Sequence, residues 1–277
     1  ALLLFLIGFG IKAGMWPFGQ MWLPDAHPAA PSPVSALLSG VMIKTGVYGL
    51  MRSFIWMMPP DGKSWYSPGA WGAALALLGT LTLFFGTMQA LKQEQSKRLL
   101  AFHSIGQVGY IIFGIGACLA LLPTGADSQG LLALAIIGFY GALFHTVNHA
   151  LFKSLLFLNA GSMLYATGTQ DLNRLGGLMK HMPLTAITAL VASFSIAGVP
   201  LFNGFASKWS LYVAAILGSR HAGYLALCGI FGIVTSALTL ASFMKFFGLS
   251  FLSRTSTLVL NKAAAEGKLE VKPTMQL

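Results

Sequence analysis

Basic side chains inside apolar runs are the groups in this sequence that could do chemistry. Lys44 lies near the middle of a run that extends from residue 33 to residue 58. About eleven residues separate it from either end, which is ~16 Å of helix and too far for its side chain to reach water easily. A lone ammonium at that depth costs a few kcal/mol or more and therefore indicates a functional site.

A second set of basic side chains follows one helix face in the stretch FHTVNHALFK. His145, His149 and Lys153 are spaced i, i+4 and i+8, so they stack on the same face. A zinc site would need a third ligand and would not tolerate a neighbouring ammonium, so we predict no metal site. Histidines that only satisfy neighbouring backbone groups remain an alternative. A proton relay fits best, because imidazole titrates near neutrality.

Four further basic residues are candidates with simpler alternatives. Lys12 and Lys208 lie beside glycine- and proline-rich breaks, in GFGIKAGMWP and SIAGVPLFNGFASK, where a long side chain could also reach water. Lys245 lies near the end of its apolar run and could do the same. His103, with the serine and glutamine of AFHSIGQVGY, could be a relay or could make ordinary interhelical hydrogen bonds worth ~1 kcal/mol or less each. His27 is expected only to cap or turn its loop.

Carboxylates are confined to the predicted loops and the tail. The acids are Asp25, Asp61, Glu94, Asp127, Asp171, Glu266 and Glu270. Low dielectric lets a lysine without a counter-ion alternate between its neutral and charged forms. A row of such groups can pass protons along, whereas it is a poor cage for Na⁺ or Ca²⁺, which prefer oxygen ligands.

Composition predicts that membrane-spanning segments position these residues. The chain is 56% hydrophobic and 9% charged, with a mean hydropathy of +0.73, which is typical of a membrane protein with several spans. The net charge of +10 does not indicate a nucleic-acid partner, because the basic residues do not cluster on a polar surface. Cys118 and Cys228 lie in apolar runs and are expected to be small buried residues.

We predict an all-α, polytopic transmembrane helical bundle over residues 1–248. The predicted spans are residues 1–15, 33–58, 69–91, 99–122, 130–166, 182–217 and 223–248. Breaks near Lys12 and Lys208 predict two discontinuous helices, and their similar layout predicts inverted repeats. Prolines 24, 28, 31 and 33 are expected to bar a regular helix between the first two spans.

Residues 249–277 are predicted to form a polar tail or a linker to a further helix, with an interfacial segment around Leu258–Ala265. The chain opens inside an apolar run, which predicts further helices before it. Loop charge predicts that loops 92–98 and 168–181, the proline-rich segment and the tail are cytoplasmic. The cations on that side are Lys92, Lys97, Arg98, Arg174, Lys180, Arg254, Lys262, Lys268 and Lys272, against Arg52, Lys63 and Arg220 on the other.

Four motifs resemble the antiporter-like, proton-conducting subunits of complex I and the membrane-bound hydrogenases. They are WLPDAHPAAPSPVSALLSGVMIKTGVYGLMR, FHTVNHALFKSLLFLNAGSM, DLNRLGGL and NGFASKW. The first is most similar to the large antiporter-like subunit of formate-hydrogenlyase and hydrogenase-4 type complexes. The resemblance covers nearly the whole chain and implies a fragment of a subunit of roughly fourteen helices, corresponding to helices seven to thirteen.

The resemblance also implies residue roles. Lys12 matches the lysine of broken helix seven, Lys44 the basic residue of helix eight, and Lys208 the terminal residue of broken helix twelve. His145, His149 and Lys153 match the basic row of helix eleven. The acidic partner of the helix-seven lysine has no counterpart in this sequence, and the spacing from Lys12 to Trp22 is one residue longer than the family pattern.

The implied function is proton translocation driven by a redox reaction elsewhere in a multisubunit complex. Protons would enter near His103 and loop 92–98 and pass the row, Lys44 would link the row to Lys12, and Lys208 would lead to the exit. The chain is then no enzyme by itself and holds no cofactor; it is a subunit of an NADH dehydrogenase-like or nickel–iron hydrogenase-linked translocase in a prokaryotic inner membrane. The implied partners are lipid and other membrane subunits, including an adjacent antiporter-like subunit or a quinone- or hydrogenase-module subunit.

Two other functions remain open at this point. The chain could belong to an Mrp-type or stand-alone Na⁺/H⁺ antiporter, or it could be a membrane scaffold subunit that moves no ion. The scaffold alternative predicts that the variant Lys44→Ala assembles normally and leaves the proton-to-electron ratio unchanged.

Overall fold

The computed structural model describes residues 1–57, 66–123 and 129–272, and helices are the regular elements of these ranges. Asp61, Lys63 and Asp127, which were assigned to loops, lie outside them. Five helices are long and apolar enough to cross a membrane: α3 (Ser32–Trp56), α4 (Pro68–Leu91), α5 (Ser96–Ala120), α6 (Gln129–Thr167) and α9 (Tyr224–Leu252). The all-α, multi-span prediction is confirmed.

The first predicted break is present, and the helix resumes after it. Helix α1 (Leu2–Ala13) ends at Gly14, whose φ of 86° suits a residue without a side chain. A 3₁₀ turn (Phe18–Met21) and helix α2 (Leu23–Ala29) follow, and Phe18–Ala29 is bent by 45° from α1. If this bent pair counts as one broken span, the described residues contain six spans.

The prediction that the prolines bar a regular helix is wrong. Pro24 and Pro33 lie in the first turns of α2 and α3, where no intrahelical donor is needed, and Pro28 lies near the end of α2. Only the junction around Ala30 and Pro31 is extended. The proline-rich segment is therefore the second half of a broken helix followed by the start of the next helix.

The second predicted break divides the segment 182–217 into two helices. Helix α7 (Pro183–Ala197) ends at Gly198, which has a φ of 80°, and helix α8 begins after a short connection and covers Asn203–Gly218. Leu201, in the connection, also has a positive φ and is fully exposed. The break leaves the last carbonyl groups of α7 without intrahelical donors.

Helix α5 is the centre of the bundle, and nearly all of its residues are buried. It packs most closely against α4, where Gly79 and Gly109 face each other's backbone: a Cβ atom on Gly109 would lie 2.7 Å from the Gly79 carbonyl oxygen. Such close approach through small residues is typical of membrane helices. Cys118 and Cys228 are buried and free, as expected.

The two loops predicted to share one side of the membrane are hydrogen-bonded to each other. The Ser96 N–H donates to the Gln170 carbonyl at 2.8 Å, and the Leu172 N–H donates to the Glu94 carbonyl at 2.8 Å. An ion pair joins Arg98 to Asp25 of α2 at 3.1 Å. The proline-rich segment therefore lies on the same side as both loops.

The tail packs against this side of the bundle. Helix α10 (Thr257–Glu266) is capped by Ser256, and Leu269 beyond it is buried. The Glu270 carboxylate accepts hydrogen bonds from the Leu184 N–H at 2.9 Å and from the Thr185 hydroxyl at 2.6 Å, at the start of α7. An anion at a helix N-terminus is stabilised by the free N–H groups and the helix dipole.

Glu270→Ala is expected to destabilise the folded protein by about 1–3 kcal/mol, because it removes a charged acceptor from the first turn of α7. Thermal unfolding of the purified protein in detergent measures the change. Glu266→Ala is the matched control. Its carboxylate pairs only with the exposed Lys262, so its removal should cost about 0.5 kcal/mol or less. Equal melting temperatures for the two variants would show that the contact of Glu270 with the start of α7 does not stabilise the fold.

Candidate functional site

Three predicted basic residues occupy the buried face of α6. His145, His149 and Lys153 are fully buried, while Val147 and Leu151 on the other face are exposed. The rings of the two histidines lie nearly parallel, with centroids 6.3 Å apart. The i, i+4, i+8 spacing therefore forms the row that the sequence predicted.

His145 is held by hydrogen bonds at both ring nitrogens. Its Nε2 lies 3.1 Å from Gln107 Oε1 on α5, and its Nδ1 lies 2.9 Å from Ser207 Oγ on α8. Because the Gln107 oxygen can only accept, Nε2 donates to it, so in the neutral ring Nδ1 is the acceptor and the Ser207 hydroxyl donates either to it or to the Gly204 carbonyl at 3.1 Å. On protonation Nδ1 can donate to the same hydroxyl, so the ring can gain and lose a proton without moving.

Lys208 occupies the break between α7 and α8. Its Nζ donates to the carbonyl oxygens of Ile196 at 2.8 Å and Ala197 at 3.3 Å, and to Ser236 Oγ at 3.1 Å. These carbonyls are the ones left open where α7 ends, and the negative end of the helix dipole favours a cation there. The ammonium is thus bound in the interior by oxygen dipoles.

Aromatic hydroxyls connect the surroundings of Lys208 to those of His145. The Lys208 Nζ lies 4.6 Å from the centroid of the Tyr110 ring, whose hydroxyl is 3.0 Å from Ser236 Oγ. The Tyr212 hydroxyl is 2.7 Å from the same serine oxygen. The Tyr110 and His145 ring centroids are 5.7 Å apart, so one buried polar cluster spans α5, α6, α8 and α9.

A line of polar groups runs from Lys44 to Lys153, with a backbone carbonyl as the acceptor at each lysine and two serine hydroxyls between them. Lys44 Nζ donates to the Ser39 carbonyl, and Ser39 Oγ lies 2.8 Å from Ser104 Oγ. Ser104 Oγ donates to the Leu100 carbonyl at 3.2 Å, which also accepts from Lys153 Nζ. Lys44 is half-buried, while both serines and Lys153 are fully buried.

A π-helical turn over Leu38–Met42 brings Ser39 to Lys44. The two residues are five apart, which places them on different faces of a regular α-helix but next to each other in a π-helical turn. Regular helical periodicity separates Ser39 from Lys44, so the sequence pattern does not predict their contact. A serine just before the lysine in an apolar run was the only signal for it.

The other predicted relay residues are placed less centrally. His103 is fully buried on α5, and its Nε2 lies 2.7 Å from Ser242 Oγ of α9. Lys245 is half-buried and donates to the carbonyls of Leu91 and Gln93, so it caps the end of α4. Lys12 is exposed on α1, apart from the row in the described part of the chain.

His27 does not merely cap or turn its segment, contrary to the expectation from sequence. Its ring is fully buried and stacks on Phe157 with centroids 4.3 Å apart, and neither ring nitrogen has a hydrogen-bond partner among the described residues. Lys153 Nζ lies 5.3 Å from the centroid of the same Phe157 ring. Lys97, which was assigned to a loop, is also buried and donates to the Ala30 carbonyl at 2.9 Å.

Carboxylates are absent from this polar interior as far as the structure describes it. Two ion pairs form among the described residues, Arg98 with Asp25 and Lys262 with Glu266, and both lie on the loop side of the bundle. Within the described ranges, no group of three His, Cys, Asp or Glu side chains could hold a metal ion. The site is therefore a set of amines, imidazoles and hydroxyls, which have protons to donate, together with amide oxygens, which only accept hydrogen bonds.

Comparisons with known proteins give a consistent set of relatives. The family described as "NADH:quinone oxidoreductase/Mrp antiporter, TM" matches residues 1–122 and 128–239. Hydrogenase-4 component B of Escherichia coli K12 is 39% identical over 254 residues, which is 90% of this chain and 36% of that protein. Formate hydrogenlyase subunit 3 of the same organism is 36% identical over 260 residues, covering 92% and 41%.

Two solved structures share the fold. A subunit of the membrane-bound sulfane sulfur reductase, an archaeal respiratory membrane complex, superposes with a TM-score of 0.80 at 32% identity, covering 99% of this chain and 42% of that one. A chain of the Mrp complex from Dietzia sp. DQ12-45-1b gives a TM-score of 0.78 at 28% identity, covering 92% and 42%. The chain thus spans about two fifths of the length of the proteins that it matches.

Proposed function

Because this chain belongs to the NADH:quinone oxidoreductase/Mrp antiporter transmembrane family, we propose that it conducts protons as an antiporter-like membrane subunit of a redox-driven complex. The observation that carries the proposal is the connection of Lys44 to the row on α6. The hydroxyls of Ser39 and Ser104 contact each other, and the two lysines bind the carbonyls of Ser39 and Leu100 beside them. A hydroxyl both donates and accepts, so these two can hand on a proton once an amine turns to them or a water molecule joins them to it.

The proposed path begins on the side of loops 92–98 and 168–181. His27 and His103 are the buried imidazoles nearest to that side, and His27 shares Phe157 with Lys153. From Lys153 one branch leads through the two serines to Lys44, and the other follows His149 and His145 toward Lys208. Each of these side chains can be neutral in the bundle interior, so a proton that arrives on one of them has a basic neighbour to move to.

Lys12 and Lys245 have separate roles in this proposal. Lys12, exposed on α1, would connect Lys44 to an acidic group outside this sequence, as the family resemblance implies. Lys245 binds two carbonyls at the end of α4. It would be a further relay residue only if its ammonium group releases a proton to a neighbouring group. We propose residues 1–248 as the proton-conducting domain and residues 249–277 as a cytoplasmic tail or linker, in which Glu270 binds the start of α7.

The names of the two relatives support a hydrogenase-linked oxidoreductase complex as the setting. We propose that neighbouring membrane subunits, one of them antiporter-like or part of a hydrogenase or quinone module, couple the redox reaction to this path. The location would be the inner membrane of a prokaryote, with loops 92–98 and 168–181 and the tail in the cytoplasm. The chain itself would perform no redox chemistry and hold no cofactor.

The experiment that tests the proposal uses the complete complex in sealed proteoliposomes. Internal acidification is followed with a pH-sensitive dye while an electron donor and acceptor are added and withdrawn. Redox-driven pumping predicts acidification only during turnover and without added sodium. An Mrp-type antiporter, which the likeness to the Mrp complex favours, would instead exchange Na⁺ for H⁺ along an imposed gradient with no donor.

Ser39→Ala is expected to slow proton transfer by about tenfold, because it removes the hydroxyl that contacts Ser104 beside the carbonyl to which Lys44 is bound. The loss stays below the 10²–10⁴ typical of a positioned acid or base, since a water molecule can take the place of a hydroxyl. Initial pumping rates in proteoliposomes measure it. Thr45→Ala is the matched control, because its exposed hydroxyl bonds only to its own helix. Equal rates in the two variants would remove Ser39 from the path.

A further inference from the structure

A cavity of about 580 Å³ lies on the loop side of the bundle, outside the basic row. It is formed where the 3₁₀ turn Leu178–Lys180 meets the end of α9 and the start of α10. Lys180 and Arg254 supply its cationic groups, and Met179, Leu252 and Leu260 supply its main aliphatic walls. Positive and apolar surfaces thus meet in one opening.

The two cations are available to a ligand. Lys180 and Arg254 are exposed, and their side chains make no hydrogen bond or ion pair with other described residues. Nearby carboxylates are engaged elsewhere: Glu266 pairs with Lys262, and Glu270 binds the start of α7. An anion entering the cavity would therefore meet two positive groups without displacing an internal partner.

The depth of the cavity indicates which anion it fits. Leu252 is the last residue of the span α9 and is 58% exposed, so its side chain faces the edge of the hydrocarbon layer. Arg254 follows two residues later, at the level where lipid phosphates lie. Met179 and Leu260, 40% and 52% exposed, extend the apolar surface beside it. A soluble anion would leave these apolar walls uncovered.

The backbone holds the two cationic segments together. Gly176 and Gly177 have φ values of 143° and 66°, and a Cβ atom on Gly177 would lie 2.8 Å from the Thr255 Cα atom. The turn that carries Lys180 is therefore pressed against residues 253–255. This close contact forms the cavity before any ligand binds and limits the ordering cost of binding.

We propose that this cavity binds the phosphate group of an anionic phospholipid, with Lys180 and Arg254 as its ligands and an acyl chain along Leu252 and Leu260. The site is separate from the proton path and does not depend on it. It would anchor the turn Leu178–Lys180 and the start of α10 to the membrane surface.

The test measures which lipid the complete complex retains. The complex is reconstituted with equal parts of phosphatidylglycerol and phosphatidylcholine, extracted in mild detergent, and its bound lipid is quantified by native mass spectrometry. We expect the wild type to retain phosphatidylglycerol preferentially. Lys180→Gln with Arg254→Gln should weaken this retention about 25-fold, from roughly fivefold for each cation near an anionic surface. Lys262→Gln, on α10 but paired with Glu266, should retain it fully.

Three results would overturn the proposal. Equal retention of the two lipids by the wild type would exclude recognition of charge. Unchanged retention in the double Gln variant would place the lipid elsewhere. Inorganic phosphate that displaces phosphatidylglycerol at equal concentration would make this a soluble-anion site. The variant Lys180→Arg with Arg254→Lys changes both side chains but keeps both charges, so it should retain the lipid. Loss of lipid from this variant as well would indicate a fold defect and not a loss of charge.

Discussion

Lys44→Ala is expected to reduce redox-driven proton pumping by at least about a hundredfold while leaving electron transfer and assembly intact. The variant removes the protonatable group of α3, and a positioned proton-transfer group typically contributes 10²–10⁴ in rate. Assembly should survive, because Lys44 is half-buried and its hydrogen bond goes to a carbonyl of its own helix. Pumping and turnover are measured together in proteoliposomes.

Two further substitutions separate titration from charge at this position. Lys44→Arg keeps a cation that cannot release its proton, so it should be as inactive as the alanine variant. Lys44→His restores a group that titrates and should recover part of the rate. Arg52→Ala, on the same helix, removes an exposed cation that lies over Trp56 and should pump normally. Full pumping by Lys44→Ala would instead support a scaffold without an ion path.

Lys208→Met is expected to impair both folding and pumping, which makes it the most damaging change in the site. The methionine fills a similar volume but leaves the carbonyls of Ile196 and Ala197 without their donor, at about 1–3 kcal/mol for each buried group. Pumping should fall by at least about a hundredfold in the protein that still assembles. Thermal unfolding and pumping rates are read on the same preparation.

Lys208→Arg distinguishes the two effects of that change. The guanidinium can donate to the same carbonyls, so we expect stability to recover, whereas a group that stays charged should leave pumping low. If Lys208→Arg restores both stability and pumping, Lys208 serves to close the broken helix and does not exchange protons. Ser210→Ala, on α8 with its hydroxyl bonded only to its own helix, controls for nonspecific loss.

Periodic features of the fold and site were accessible from the sequence. Five of the seven predicted spans coincide with long apolar helices, while 1–15 and 182–217 contain shorter helices beside a break. Gly/Pro pairs predicted both breaks, because backbone chemistry at these residues is local. The row on α6 followed from helical spacing alone. The family resemblance that the four motifs indicate is confirmed by the family match, whose residues 1–122 and 128–239 contain all four.

Features that depend on irregular backbone or tertiary contact were not accessible in the same way. Ser39 meets Lys44 only because a π-helical turn replaces regular spacing. His27 becomes buried because α2 folds back against α5 and α6, which no local pattern encodes. The prolines near it predict a broken helix, yet two of them occupy first turns, where proline is favoured.

The enclosure of α5 also determines how this protein must be made. His103, Ser104 and Gln107 on α5 find their partners on α9, α3 and α6. The ribosome delivers α5 before α6 and α9, so two of these polar groups enter the bilayer before their partners have been synthesised. Truncated chains that end before α9 will present an unpaired histidine to lipid, and we expect quality-control proteases to remove them. The polar groups of the central helix are thus fully partnered only once α9 has been inserted.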